Sequence, residues 1–476
     1  MKGILTFIAL LFITSLFGQN ITLRSVGAKG DGKSDDSQYF INAVKIASNK
    51  GVFVDGENLT YKLTGSFDLV LKSFYIKNIN IVFEANYSNQ FNFSSNTNKV
   101  NIQNVFIDGG RNTYNLGIES WKVFANENDI ESINPDVKPV FFFQSKSKDA
   151  HFIIDSLNCN NIHAESVVTF YTFGEVNMSN LSFSNISNKT FHVYHSFDDG
   201  ITAFGSTTLY NARAVNIGQM VKEILVNSKR YLTSEGRFMA QGSFNFIVSH
   251  GNFTVKDIYV ENYGSTGFTS DRNFSFNGID IKIKNLSKQG FSNNPSAGFW
   301  IEASKNITVS NLDINIQNRS ALDQKFNSSA LHFFGKNSNA QFNKVTINSD
   351  NKAIKKGFLG EFLGENNIKI SDIRISGDVI ENALFSGTLN NDARYNFAIG
   401  NIYADQIFFY NANTVRIEKL NKYSKNVEDL LFYIDIPVLK NKLDYKIENT
   451  NFNKVRSNYS SNRIILPKQV KVLIEK

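Results

Sequence analysis

From about residue 70 onward the chain cycles between short runs that alternate apolar and polar residues and breaks rich in Asn, Gly, Ser or Lys. Val176-Asn-Met-Ser-Asn-Leu-Ser-Phe183, Val255-Lys-Asp-Ile-Tyr-Val260, Ile307-Thr-Val-Ser-Asn-Leu-Asp-Ile314, Phe342-Asn-Lys-Val-Thr-Ile347 and Ile368-Lys-Ile-Ser-Asp-Ile-Arg-Ile375 are versions of one text. Period-2 alternation marks strands with one face turned inward. Run starts at 255, 279, 307, 342 and 368 are separated by 24, 28, 35 and 26 residues. Units of that size cannot enclose a core of their own, so they must stack as a solenoid. Helical periodicity is nearly absent from these runs. The pattern therefore predicts an all-β, single-domain parallel β-helix, each coil giving two or three short strands and lying ~4.8 Å from the next. Asn at the strand ends suits left-handed backbone and stacked side-chain amides. A β-propeller would need hairpin signals and a steadier, longer period.

One segment has helical spacing. Asp35, Asp36 and Ser37 offer N-caps, and Tyr39, Phe40, Ala43, Val44 and Ala47 share a helical face before Gly51 stops it. A helix over 36–50 would cover the open N-terminal end of the stack. Ahead of it, Lys2 precedes an apolar run from Ile4 to Phe17, which reads as a signal peptide spanning 1–19. The rest divides into opening strands and cap helix at 20–70, coils at 71–424, and a C-terminal cap at 425–476. Arg463-Ile-Ile-Leu466 and Val470-Lys-Val-Leu-Ile474 are its closing strands. Residues 205–245 fit the repeat poorly and carry Arg213, Lys222, Lys229, Arg230 and Arg237, as a loop walling a groove would.

Composition narrows the partners. The 476 residues are 42% hydrophobic, enough for a large core and too many for a disordered chain. The single Cys159 forms no internal disulfide and belongs to no zinc pattern, so no metal site is expected. A formal net charge of +7 suits an anionic partner. Export points away from nucleic acid and toward an acidic glycan, and no later run is long enough for membrane insertion. The oligomeric state is not legible.

The opening text is specific. Gly27-Ala-Lys-Gly-Asp-Gly-Lys-Ser-Asp-Asp-Ser37, the helix after it, Gly51-Val-Phe-Val-Asp-Gly56 and Tyr61-Lys-Leu63 resemble the start of the pectate-lyase-like superfamily. Polygalacturonases, rhamnogalacturonases, related lyases and epimerases, and phage depolymerases share that start. The resemblance implies a right-handed parallel β-helix acting on polysaccharide, a glycoside hydrolase ahead of a polysaccharide lyase. The alternative is a scaffold that binds glycan without cleaving it. No cofactor is implied, except Ca²⁺ in the lyase case. The motif itself is structural and names no reaction.

Two constellations carry the expected chemistry. Ser196-Phe-Asp-Asp-Gly-Ile201 resembles the superfamily's acidic turn segments. It makes Asp198 and Asp199 candidate catalytic carboxylates, with His195 beside them to touch substrate. Ser249-His-Gly251 and Asp280-Ile-Lys-Ile-Lys284 resemble its His-Gly and Arg-Ile-Lys signatures. The second constellation comes from aligning coils. Setting Ser296-Ala-Gly-Phe-Trp300 against Ser328-Ser-Ala-Leu-His332 turns Phe299, Ile301, Leu331 and Phe333 inward. Trp300, Glu302, His332 and Phe334 are then left outside, with Glu361 one coil later and Asp271 or Arg272 one coil earlier. In this column Glu302 and His332 are the proton carriers, and Asp271, Arg272, Trp300 and Glu361 hold substrate. Trp300 would stack on a sugar ring and Arg272 would fork to a carboxylate or sulfate.

Overall fold

The computed structural model describes the chain from residue 20 to 474, apart from short segments. The longest of these are 84–90, 111–120, 233–237, 286–296, 318–327, 423–429, 434–443 and 458–463. The expected signal peptide therefore lies outside the described residues, as do Asp198 and Asp199. Among the described residues the strands gather into two long sheets, one of 18 strands and one of 15, plus three antiparallel pairs. Within the long sheets the neighbouring described strands, from Ile21–Thr22 with Val54–Asp55 to Lys454–Ser457 with Lys471–Ile474, run parallel. The chain alternates between them, a long strand in the first sheet and a short one in the second. This is the right-handed parallel β-helix that the opening text implied.

Each long strand of the early coils turns a corner at one residue. Asn78, Asn104, Ser156, Asn180, Asn211, Asp257, Asp280 and Asn311 all have φ between 51° and 58°. Asn and Asp enter this left-handed region at low cost. Their side chains then stack: Asn104 donates to Asn78 at 2.9 Å, Asn211 to Asn180 at 2.8 Å, and Asn311 to Asp280 at 2.8 Å. A second such ladder links Asn161, Asn185, Asn216 and Asn262. The corner residue also explains a slip in the sequence alignment. Val255 pairs with Gly278 and Lys256 with Ile279, so the run start at 279 is one residue late. Asp280 adds a second outward residue beside Ile279 and breaks the alternation there.

Inside, equivalent side chains stack one strand spacing apart. Phe91 lies 5.0 Å from Phe141, Phe93 4.4 Å from Phe143, and Phe143 5.0 Å from Phe170, with ring planes within 16° of parallel. Phe299, Ile301, Leu331 and Phe333 are fully buried, as their register required. Cys159 is buried too, and burial pushes its thiol up, away from reactivity.

The cap helix spans Ser37–Lys50 and ends at Gly51, whose φ is 66°. Phe40, Ala43, Val44 and Ala47 face the first coil, and Phe40 packs 5.5 Å from Phe91. Tyr39 is not on that face. It is 38% exposed and packs instead beside Gly27. The Asp36 carboxylate makes no helix cap. It reaches back to accept from the N–H groups of Lys29 (2.8 Å) and Gly30 (3.1 Å), while Asp35 accepts from Ser37 and Thr64. The Gly-rich turn and the Asp-Asp pair are thus one interlocked unit.

Two boundaries lie elsewhere than the sequence pattern put them. Ser206–Ile217 is a regular long strand pairing with both neighbours, so Arg213 belongs to the stack and lies 4.7 Å from the Tyr259 ring. Its inward residues include Ala212 and Ala214, too small to make the alternation conspicuous. The insertion starts later, with antiparallel pairs between Met220–Val221 and Phe238–Met239 and between Glu223–Val226 and Lys229–Leu232. At the other end, Ile464–Ile465 and Lys471–Ile474 each pair in parallel with the coil before, so both ladders run past 425.

Candidate functional site

The outer face of the short-strand sheet carries the second constellation. Four successive strands, Thr266–Asp271, Ala297–Glu302, Ser329–Lys336 and Lys356–Leu363, present two outward rows. One row is Thr269, Trp300, His332 and Leu359; the other is Asp271, Glu302, Phe334 and Glu361. The side chains face out because Phe268, Phe299, Leu331 and Phe358, at alternate positions, fill the interior. Arg272 follows Asp271 with φ 47°, and its N–H donates to the Glu302 carbonyl at 2.7 Å.

The rows interact across strands. The Trp300 and His332 rings lie 4.4 Å apart at 45°. His332 is 3% exposed and its Nε2 is 2.8 Å from Glu361 Oε2. That bond from His332 is the main reason the Glu361 carboxyl is held below the usual glutamate range; burial opposes it, and the charges of His332 and Lys356 add to it. An ionised carboxylate only accepts, so Nε2 carries the hydrogen. Arg272 Nε pairs with Asp271 Oδ1 at 3.2 Å.

Three buried polar atoms in the first row, Thr269 Oγ1, Trp300 Nε1 and His332 Nδ1, have no hydrogen-bond partner among the described residues. Such atoms are rare in native interiors and call for a ligand, a water or an ion. Thr269 was missed by the sequence reading, although it occupies Trp300's position one coil earlier. Lys356 was missed as well; its Nζ is 4.3 Å from the Phe385 ring and pairs with Glu381 at 3.5 Å.

The first constellation fares differently. His195 is fully buried, wedged against Gly205 and Gly251, where an added Cβ would come within 2.3 and 2.4 Å of its ring. Its Nδ1 is 2.7 Å from the Thr172 carbonyl and its Nε2 2.8 Å from Thr207 Oγ1. Burial lowers its pKa to about 4 against the Thr172 bond. It has no surface with which to touch substrate, so it is corrected to a packing residue. His192 faces outward between Thr169 and Ile247, and burial, with Lys189 and His250, lowers it to about 3. His250 is buried in a turn with φ 62°, whereas Lys282 lies on the other sheet, 3.9 Å from Asp313. The His-Gly pair therefore sits in a turn between the sheets and the Asp280–Lys284 segment on the long-strand sheet.

No group of three or more His, Cys, Asp or Glu among the described residues could hold a metal ion. Asp271 is already paired with Arg272, which a Ca²⁺ ion there would have to displace, so the donor set does not fit one. Among the described residues no helix is long and apolar enough to cross a membrane.

No protein-family model matches the chain, and no curated protein does. Among solved structures it is similar to the catalytic unit of a thermostable GH87 alpha-1,3-glucanase from Streptomyces thermodiastaticus. The identity is 8% and the TM-score 0.37, over 92% of this chain and 69% of that one. It is also similar to a Family 28 exopolygalacturonase from Yersinia enterocolitica, at 10% identity and TM-score 0.29, covering 92% and 78%. An iota-carrageenase complexed to iota-carrageenan fragments matches at 10% and TM-score 0.17, covering 94% and 92%. Likeness this low says nothing of chemistry, which has to come from the side chains.

Proposed function

We propose that this chain is a secreted polysaccharide-active enzyme, a glycoside hydrolase that takes an acidic glycan across the outer face of the short-strand sheet. The observation that carries the reading is the row Thr269, Trp300 and His332, with three unsatisfied buried polar atoms, beside the carboxylates Asp271, Glu302 and Glu361. Trp300 offers a ring for a sugar's apolar face. Arg272 offers a planar fork for a uronate carboxylate or a sulfate.

In this reading Glu302 gives its proton to the glycosidic oxygen as the bond to the anomeric carbon breaks. Asp271 faces it from the next strand. Equivalent residues on adjacent strands lie ~4.8 Å apart, close to the ~5–5.5 Å between the carboxyl groups of retaining glycosidases. Asp271 then acts as nucleophile, and water, deprotonated by Glu302, releases the sugar. Asp198 and Asp199 are a second acidic pair for the same chemistry. Steady-state assays on acidic and neutral polysaccharides test it. Reducing ends should appear without absorbance from unsaturated uronates, and Glu302→Gln should abolish their release while leaving the melting temperature unchanged.

One observation favours a second reading. His332, oriented by Glu361 at 2.8 Å, is a base with Nδ1 turned away from its carboxylate. It could take the proton beside a uronate carboxyl that Arg272 neutralises, with the 4-linked sugar leaving as a double bond forms. Unsaturated products lost in His332→Ala would favour elimination. Glycan binding without either product would leave a binding scaffold.

A further inference from the structure

The other sheet carries a trough that the chemistry above does not use. Two hollows on its outer face, of about 870 and 420 Å³, share Gln341 and Lys369 and so join. Together they cross the strands from Ser275–Asn285 to Ile464–Ile465. Eight strands at ~4.8 Å make a trough roughly 34 Å long, parallel to the coil axis.

Its lining repeats with the coils. One row is a ladder of amides: Asn367 donates to Asn339 at 3.2 Å and Asn396 to Asn367 at 3.0 Å. The next row runs Thr308, Gln341, Lys369, Ala398, Arg416 and Lys446. Ala398 and Gly400 put almost no side chain on this face, and the larger hollow lies over them. Arg416 is paired with Asp444 at 2.8 Å and Lys446 with Glu448 at 2.7 Å. Lys369 is exposed and makes no ion pair among the described residues. The lining's formal charges balance, Lys369, Arg416 and Lys446 against Glu418, Asp444 and Glu448, but the carboxylates lie on the strand of Arg416 and beyond, so Lys369 stands apart from them at the amide end.

We propose that this trough is a second polysaccharide-binding surface, which takes an anionic glycan strand along the coil axis away from the site of cleavage. The amides of Gln341, Asn339 and Asn367 meet sugar hydroxyls, and Lys369 meets a carboxylate or sulfate. A repeating polar polymer suits a lining that repeats its own polar groups and exposes no aromatic ring. A folded protein partner would want an apolar centre to the contact. The surface shares its ligand class with the proposed function but none of its residues.

Affinity electrophoresis of the full chain through gels containing a carboxylated, a sulfated or a neutral polysaccharide tests this, with a polysaccharide-free gel correcting for charge. Wild type should be retarded in an anionic gel. Lys369→Glu and Gln341→Ala should weaken that binding, Lys369→Glu by roughly tenfold, as loss of a charge-assisted hydrogen bond would. The weakening by Lys369→Glu should persist in a Trp300→Ala background, where the stacking ring of the other surface is gone. The proposal is overturned if wild type is not retarded in any anionic gel or if both trough variants run as wild type. It is also overturned if sedimentation shows that Lys369→Glu dissociates an oligomer, which would make the trough a protein interface. None of these readouts requires turnover, so failure of the cleavage reading would leave this one standing.

Discussion

The early and late coils of the long-strand sheet have the same interior and different corners. Up to Asn311 each corner residue is Asn, Asp or Ser with positive φ, and three adjacent pairs, Asn78–Asn104, Asn180–Asn211 and Asp280–Asn311, are tied through their side chains. From Asn339 onward φ at the corner positions of these strands is negative, and the ladder breaks one residue earlier, skipping Asn343, Ser371, Gly400, Glu418 and Glu448. The change begins where Lys344 takes the corner position. Lysine enters the left-handed region at a cost that Asn avoids. Asp372 and Asn401 could adopt it, but they are stacked in register with Lys344 and share its backbone. One unsuitable residue thus resets the neighbours above it, as expected where each repeat contacts only its neighbours. The larger hollow lies along this reset corner, with Ser371, Gly400, Glu418 and Glu448 in its lining.

If the interior is common to both regions, core truncation should hurt them alike. Phe299→Ala and Phe358→Ala both remove fully buried rings, and each should cost ~3–5 kcal/mol by denaturant unfolding. A much smaller cost in the late coils would mean that their interior differs as well.

Acid should separate the two regions. In the early half His195 is neutral and buried, with a folded pKa of about 4 against about 6.5 when unfolded. The unfolded chain therefore binds the extra proton first. The stability this residue contributes is full above about pH 6.5 and is lost as the pH falls toward its folded value. Near pH 5 the loss should be about 2 kcal/mol. In the late half, Glu361 is depressed instead, so its contribution persists until the pH falls below the usual glutamate value of about 4.3. Hydrogen exchange near pH 5 should show the early coils opening first; equal opening would remove the distinction.

The corners give the smallest difference. Asn180→Val places a β-branched residue at φ 55° and removes bonds to Asp155 and Asn211, which should cost ~1–3 kcal/mol. Asp372→Val, at the equivalent late position, should stay within ~0.5 kcal/mol. Equal costs would mean that the ladder adds nothing beyond what any corner does.

Much of this was legible beforehand because a solenoid repeats its errors as faithfully as its rules. Alternation placed Trp300, Glu302 and His332 outward because Phe299, Ile301, Leu331 and Phe333 could go only inward. The Asp280 corner defeated the same logic at Ile279, since one left-handed residue adds an outward position that no hydrophobic count reveals. Ala212 and Ala214 hid a regular strand because small inward residues give a weak signal. His195 was misread for a different reason. Its burial depends on Gly205 and Gly251, distant in sequence, closing over the ring. The His332–Glu361 bond was equally invisible, because it runs diagonally between rows and depends on side-chain reach.

The ladders that define the fold also fix how it should respond to force. The ladder bonds between coils run along the axis, and the first and last described strands, Ile21–Thr22 and Lys471–Ile474, lie at opposite ends of it. Tension applied through the termini would load these bonds one strand at a time rather than in shear. The molecule should then peel like a zipper, coil after coil at low force, beginning at the end the helix does not cover. A protein anchored in a stretched polysaccharide network would be protected by the glycan lying across its coils, since a strand bound along the axis bridges the seams that tension opens.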